Sequence, residues 1–265
     1  GPGMYSKAII GWIMVVFISV AAWSQDRPDW ERRYDCMLSS ETIVIDGVGD
    51  EFAWQLAPEV GVFTRFQNSG AAPRYRTMAK MLWDRDNLYF LVVVEDPDIW
   101  STMGEGDKDC LCREETIELF IDPDGDEQDY AEIHINCLDT INDIWIPKND
   151  FKYADGAPVV WPDLYAWNQA GMQHAVKNHG TVNDSTDVDR GSVFEFSMPW
   201  KGFGKIAATA HVPPRAGDVW RININRYERA RGEEKPELSG WAPLDLQSYH
   251  VPERFGWVRF VGSGG

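Results

Sequence analysis

The stretch that decides the fold is ETIELFIDPDGDEQDYAEIHIN, residues 115–136, in which two alternating apolar and polar runs flank an acidic turn. Successive side chains of a β-strand point to opposite faces, so this pattern predicts a β-hairpin. Its apolar set is Ile117, Leu119, Ile133 and Ile135. A shift of the pairing by one residue would bury charges, so the four apolar side chains must share the core face.

The opposite face of this hairpin is polar. It carries Glu118, Glu132, His134 and Asn136. The segment WRININ, residues 220–225, repeats the pattern and adds Asn225 to the same kind of face. Carboxylate, imidazole and amide groups can each bond a hydroxyl, so the set suits a neutral polyol. A plain solvated sheet face is the alternative interpretation.

The rest of the chain is also dominated by short alternating or apolar runs separated by Gly, Pro, Asn and Asp. Strands are predicted at 42–46, 78–83, 88–94, 117–121, 131–137, 143–146, 172–177, 193–198, 218–227 and 257–261, with one helical turn at 50–54. Such spacing is typical of an all-β sandwich. We therefore expect a single antiparallel two-sheet β-sandwich domain, jelly-roll or immunoglobulin-like, over residues 26–262.

Eight landmarks in order carry a resemblance to a known family. They are IDGVGDEFAW, MLWDRDNLYF, EDPDIW, TIELFIDPDGD, AEIHIN, SMPW, VWRININR and YHVPERFG. Together they resemble the family 9 carbohydrate-binding modules and their relatives in secreted bacterial proteins. The resemblance implies an antiparallel β-sandwich with structural calcium that binds sugars, often chain ends, between two aromatic rings.

The resemblance also implies roles for particular residues. Glu118 stands at the family's sugar-binding carboxylate, and Asn136 at a binding Asn. His134 stands where the family has a binding Arg, and Asn225 where it has a binding Gln. Tyr249 stands at one of the two stacking Trp positions.

The second stacking position departs from the family pattern, because Cys112 stands where the other Trp is expected. The two-ring clamp is therefore incomplete. Trp100, in the nearby motif EDPDIW, is a candidate for the missing ring. A loop residue packed over the end of the sandwich is the alternative interpretation of Trp100.

The acidic turn of the hairpin offers a candidate metal site. Asp122, Asp124 and Asp126 stand at alternating positions, and Ca²⁺ prefers such oxygen ligands. An Asp-Gly pair is also an ordinary hairpin turn signal. We expect structural calcium here, with a plain turn as the alternative.

The N-terminal residues indicate export. Gly1, Pro2 and Gly3 resemble a cloning scar before Met4, and Lys7 then precedes an apolar run that ends in Ala22-Trp23-Ser24. This arrangement predicts a secretory signal peptide within residues 1–25, cleaved after Ser24. A retained membrane anchor is the alternative. We expect a secreted protein, periplasmic or at the cell surface, with no membrane span after residue 25.

Export makes disulfides possible for the four cysteines. They are Cys36, Cys110, Cys112 and Cys137, and four cysteines allow three pairings. We expect Cys110 and Cys112 not to pair with each other, because so short a ring strains the disulfide. Buried free thiols are the alternative.

Composition limits the partners. The net charge is −17, with 42 acidic against 25 basic residues, and this field would repel nucleic acid. Thirteen Trp supply flat surface for a core or for stacking on a ligand. An oligosaccharide or polysaccharide is therefore a more suitable partner than DNA or RNA.

Four functions are compatible with these features. The first is non-catalytic carbohydrate binding. The second is a glycosidase that uses Glu118, although this mechanism needs a second carboxylate. The third is a haem-binding electron carrier with ligands among His134, Met103 and Met172, although the chain has no Cys-x-x-Cys-His motif. The fourth is a structural or adhesive role.

Overall fold

The hairpin predicted within residues 115–136 is present. The computed structural model describes residues 30–66, 70–106, 110–245 and 248–262, so the predicted signal peptide and its cleavage site lie outside the described residues. Strands β5 and β6 pair antiparallel, with Glu118 opposite His134 and Leu119 opposite Ile133. This is the register that the apolar alternation predicts.

The described chain holds twelve strands and two short helices. The strands are β1 (Arg33–Leu38), β2 (Thr64–Arg65), β3 (Thr77–Trp83), β4 (Asn87–Glu95), β5 (Thr116–Asp122), β6 (Gln128–Ile135), β7 (Ile141–Lys148), β8 (Gln173–His179), β9 (Gly191–Pro199), β10 (Val219–Glu228), β11 (Glu237–Gly240) and β12 (Gly256–Val261). The helices are α1 (Phe52–Leu56) and α2 (Trp161–Tyr165).

All twelve strands belong to one hydrogen-bonded sheet that curls on itself. The main order is β7-β6-β5-β10-β12-β1-β3-β4-β9-β8, and β11 and β2 branch from β10. The two halves face each other as the layers of a β-sandwich, as predicted. The pairing is antiparallel except at β1, which joins the halves through parallel pairing with both β12 and β3.

The space between the two halves is filled by the main core. Ile117, Leu119, Ile133 and Ile135 are all buried there, which confirms the predicted core face of the hairpin. Opposite them lie apolar side chains of β4 and β9, including Phe90 and Phe196. Apolar surface removed from water in this way is the main favourable term in folding.

Both outer surfaces of the sandwich are covered as well. A second apolar cluster lies on the far side of β5 and β6, and it includes Phe120, Tyr130 and Tyr249. A third cluster packs α1 against β3, β4 and β9, with Trp54 at its centre. The face of the hairpin that the sequence presents as polar is therefore enclosed by later segments of the chain.

Most predicted strands are present, with ends within two or three residues of their predicted bounds. Three observed strands were not predicted, and one predicted strand is absent. The missed strands are β1, β2 and β11. The segment 42–46 forms no strand. The backbone N–H groups of Asp46 and Gly47 donate instead to the carboxylate of Glu195, which lies 3.2 and 3.0 Å away, so a side chain replaces a strand partner.

The cysteine prediction was also wrong. Cys110 and Cys112 form a disulfide, with their Cα atoms 5.1 Å apart. The intervening 3₁₀ turn at Leu111–Arg113 brings the two side chains together. Cys36 and Cys137 are free thiols, buried and partly buried respectively. Among the described residues, no helix has the length and apolarity needed to cross a membrane.

Candidate functional site

The predicted polar residues of β5, β6 and β10 do come together. Glu118 pairs with His134 across β5–β6 and with Asn225 across β5–β10. His134 Nε2 lies 2.8 Å from Glu118 Oε1, and Asn225 Nδ2 donates to Glu118 Oε2 at 3.0 Å. The hydroxyl of Tyr227 approaches Glu118 Oε1 at 3.4 Å. Both carboxylate oxygens of Glu118 are thus bonded to protein groups.

Two residues that were not among the predicted binding residues complete this cluster. Glu132 Oε1 lies 3.2 Å from His134 Nε2, and His250 Nε2 lies 3.5 Å from Glu132 Oε2. The alternation already places Glu132 on this face, but the resemblance implies no binding role for it. His250 comes from the chain segment before β12, and no local pattern points to it. We call Glu118, Glu132 and His134 the buried triad.

Burial and charge act in opposite directions on His134. Burial alone would lower the pKa of its imidazole. The hydrogen bond to Glu118 and the charges of Glu132 and Glu118 outweigh burial and raise this pKa to about 9. Burial also raises the pKa of Glu132, against the opposing effects of His250 and His134. The raised pKa therefore favours the protonated imidazole of His134 at neutral pH.

This face is buried, although a sugar-binding face should be exposed to solvent. Glu118 and His134 are each 1% exposed, and Asn225 is fully buried. The second apolar cluster covers them, as described above. The predicted grouping on one face is therefore present, but in this conformation a ligand has no direct access to it.

Asn136 and Tyr249 lie at the borders of this face and serve other partners. Asn136 Nδ2 donates to Ser101 Oγ at 3.0 Å and to the Met103 carbonyl at 2.7 Å, and thereby ties a loop to β6. The Tyr249 hydroxyl lies 2.8 Å from the Arg226 carbonyl, and its ring packs on Phe66. Because Tyr249 is 2% exposed, its ring is not available for stacking on a ligand in this structure.

Trp100 lies on the loop that Asn136 ties down, and its ring is partly exposed. Its Nε1 donates to the Arg229 carbonyl at 2.9 Å. The guanidinium of Arg231 lies 5.9 Å from the ring centre and pairs with Asp98, with 2.8 Å between Nε and Oδ2. We call Asp98, Trp100 and Arg231 the Trp100 group. It combines an aromatic face with charged hydrogen-bonding groups at the surface.

The loop that carries Trp100 is held on several sides. Ser101 Oγ donates to Glu114 Oε2 at 2.6 Å, and the Thr102 hydroxyl donates to the other oxygen of Glu114. Asn183 exchanges two hydrogen bonds with the backbone of Ser101, at 3.1 and 3.0 Å. A ring fixed in this way loses little conformational freedom on binding.

The predicted calcium ligands are also grouped. Asp122, Asp124 and Asp126 can each place an oxygen within 4.8 Å of the others. Asp124 Oδ1 is buried without a hydrogen-bond partner, which fits a cation ligand. Asp122, however, already accepts from the backbone N–H groups of Gly125 and Glu127, and burial raises its pKa to about 7. The residues fit Ca²⁺, which stays a prediction.

The two rival chemistries lack an accessible arrangement among these residues. Glu132 supplies the second carboxylate that a glycosidase needs, but both carboxylates are buried and contact His134. Of the haem-ligand candidates, Met172 and His134 do not converge, because Met172 packs against the main core while His134 lies on the opposite face of the sheet.

The fold and the site define the class of the protein as a β-sandwich domain with a buried polar cluster on one face of its sheet. The chain belongs to the carbohydrate family 9 binding domain-like family, which matches residues 45–263. It is 22% identical over 226 residues to the endo-1,4-beta-xylanases A of Thermotoga neapolitana and Thermotoga maritima. These matches cover 83% of this chain but only 17% of each xylanase.

Solved structures agree with the family assignment at the level of fold. A family 9 carbohydrate-binding module from Caldicellulosiruptor kristjanssonii in complex with cellotriose has a TM-score of 0.57 at 15% identity, covering 88% of this chain and 95% of that one. The glucose complex gives 0.55 at 14% identity, covering 86% and 96%. A putative carbohydrate-binding protein from Bacteroides uniformis gives 0.58 at 12% identity, covering 86% and 99%.

Proposed function

We propose that this chain is a non-catalytic carbohydrate-binding domain that acts outside the cytoplasm on an oligosaccharide or polysaccharide. The observation that carries the proposal is family membership over residues 45–263. Two solved structures of this fold are complexes of a family 9 module with cellotriose and with glucose, so β-linked glucose oligomers are the first ligands to test.

We propose that the sugar first contacts the Trp100 group. Trp100 is the partly exposed ring among the predicted site residues, and its loop is held by Asn136, Glu114 and Asn183. The C–H face of a sugar can lie on the indole, and its hydroxyls can bond the carboxylate of Asp98 and the guanidinium of Arg231. Contact with one ring supports weak binding, with a Kd of roughly 0.1–1 mM.

Glu118, His134 and Asn225 contact a sugar directly only if the second apolar cluster, which covers them, moves away. The Tyr227 hydroxyl lies 3.4 Å from Glu118, and the Tyr249 ring packs 5.0 Å from the Tyr227 ring. The side chains of both tyrosines would have to move away before a sugar hydroxyl could reach Glu118. In the closed conformation, Asn136 contributes by holding the loop and not by touching the ligand.

The test is a glycan array followed by calorimetric titration of cellotriose, with Ca²⁺ present and with chelator. Trp100→Ala should lower the affinity at least tenfold, since stacking on an aromatic ring is lost. Trp161→Ala is the matched control, because Trp161 is 45% exposed on the separate helix α2 and should leave the affinity unchanged. Loss of binding in Trp161→Ala alone would move the site to α2.

The array also tests the proposal as a whole. A wild-type protein that binds no glycan under either condition would overturn carbohydrate binding and favour the structural role. If Glu118→Gln and Trp100→Ala both lower the affinity for the sugar, the second apolar cluster opens and the buried face takes part in binding.

A further inference from the structure

The buried triad points three ligand atoms at one another. His134 Nε2 lies 2.8 Å from Glu118 Oε1 and 3.2 Å from Glu132 Oε1. All three atoms fall within 4.8 Å of one another, and the three residues are buried. Zn²⁺ in proteins has bonds of about 2.0–2.2 Å to nitrogen and oxygen, which puts tetrahedral ligand atoms about 3.3 Å apart. The two nitrogen–oxygen separations, 2.8 and 3.2 Å, fall short of this value by no more than about 0.5 Å.

The opposite atom of each triad residue is held by a separate protein group. Glu118 Oε2 accepts from Asn225 Nδ2 at 3.0 Å, and Glu132 Oε2 lies 3.5 Å from His250 Nε2. His134 Nδ1 lies 3.3 Å from Asn142 Oδ1. Because amide and carboxylate oxygens accept, Nδ1 donates to Asn142 and Nε2 donates to Glu118 when no metal is bound. A metal ion would take the place of the Nε2 proton and bind the lone pair of that nitrogen, while the Asn142 contact keeps the proton on Nδ1. Such outer contacts are the usual means of orienting metal ligands.

The chemistry of the triad also suits a divalent cation. Glu118 and Glu132 can each supply a carboxylate oxygen, and His134 a ring nitrogen, to one ion. Two carboxylates and a neutral imidazole balance the charge of a divalent ion, so the bound ion leaves no uncompensated charge in this buried site.

We infer that the buried triad is a site for one divalent transition-metal ion, represented by Zn²⁺, with Glu118 Oε1, Glu132 Oε1 and His134 Nε2 as ligands. The fourth position is left for a water molecule. A mixed nitrogen and oxygen set suits Zn²⁺ and its neighbours, whereas Ca²⁺ needs six to eight oxygens. The inference goes beyond carbohydrate binding and does not depend on it.

Zinc binding is tested on the full chain, without any sugar. Because the triad is enclosed, the protein is refolded with Zn²⁺, dialysed, and analysed for metal by mass spectrometry, with a parallel sample refolded in chelator. We expect one tightly held Zn²⁺ per chain and a higher Tm than in chelator, since a ligand of the folded state stabilises it. An equal amount of Ca²⁺ should not displace the zinc.

Variants assign the ion to the triad. Glu132→Gln and His134→Gln should each abolish retention of the zinc. Asn225→Ala, which removes only an outer contact, should weaken binding roughly 10–100-fold. The matched control is His174→Gln, because His174 forms an exposed pair with Asp139 at 2.7 Å and should retain one zinc.

X-ray absorption on the wild-type zinc protein keeps the inference testable even where a variant fails to fold. We expect a shell of nitrogen and oxygen at about 2.0–2.2 Å that includes one imidazole. A sulfur shell would assign the ion to cysteine and overturn the inference. Full retention of zinc in folded Glu132→Gln protein, or no retained zinc in the wild type, would overturn it as well.

Discussion

Replacing Glu118 with Ala tests the enclosure of the polar face. The change leaves His134 Nε2 without its partner at 2.8 Å and Asn225 Nδ2 without its acceptor at 3.0 Å, both in a buried environment. The Tyr227 hydroxyl loses a more distant contact at 3.4 Å. Removing one partner of a buried ion pair typically costs about 3–5 kcal/mol, because the remaining groups are left uncompensated. We expect a loss of free energy of unfolding in this range.

The assay is equilibrium urea unfolding at neutral pH, followed by circular dichroism in the presence of chelator so that no metal contributes. Asp139→Ala is the control, because it breaks a pair of the same chemistry with His174 at the surface. Exposed pairs are worth about 0–1 kcal/mol. If Glu118→Ala costs no more than Asp139→Ala, then Glu118 is solvated in solution, and the argument that its face is closed fails.

Three further predictions concern the metal turn, an acidic cluster and the core. Ca²⁺ should raise the Tm and Asp124→Asn should remove the response, whereas an unchanged melting curve in chelator would argue against calcium. Burial and the charges of Glu228 and Asp96 raise the pKa of Glu115 to about 10. Because this pKa lies above its unfolded value, its contribution to stability is complete below the unfolded pKa and is lost as the pH rises through about 10. Glu115→Gln should therefore flatten the fall of Tm with rising pH, and an unaltered slope would contradict the shift. Leu119→Ala should cost about 2–5 kcal/mol in urea unfolding, against almost none for Val44→Ala at an exposed position.

The sequence predicted the hairpin well because the relevant rule is local. Alternation with a period of two residues assigns each side chain to a face, and the apolar face then selects one register. Glu118, His134 and Asn225 accordingly became cross-strand neighbours. The same rule failed at residues 42–46, where the Glu195 carboxylate, about 150 positions away in the chain, takes the backbone N–H groups.

The burial of the polar face could not be predicted in the same way. The cover comes from side chains far along the chain, among them Tyr249 and Phe255, which belong to no alternating strand pattern. Tyr249 carries a polar group that finds backbone acceptors at Arg226 and Ser239, so it can be buried without penalty. A sequence pattern records which face a side chain takes, but not what later packs over it.

The departures from the family pattern become mutually consistent once the face is closed. The resemblance implies a face that receives a sugar between two rings, yet Cys112 is tied to Cys110 and Tyr249 is packed inside. A closed face must instead balance its own charges, and His134, which stands where the resemblance implies an Arg, lies between two carboxylates. An Arg in that position would be permanently charged, whereas His can give its lone pair to an ion. The position of His134 therefore favours a cation within the closed face. The positions of Cys112 and Tyr249 favour a sugar site at its edge, beside Trp100.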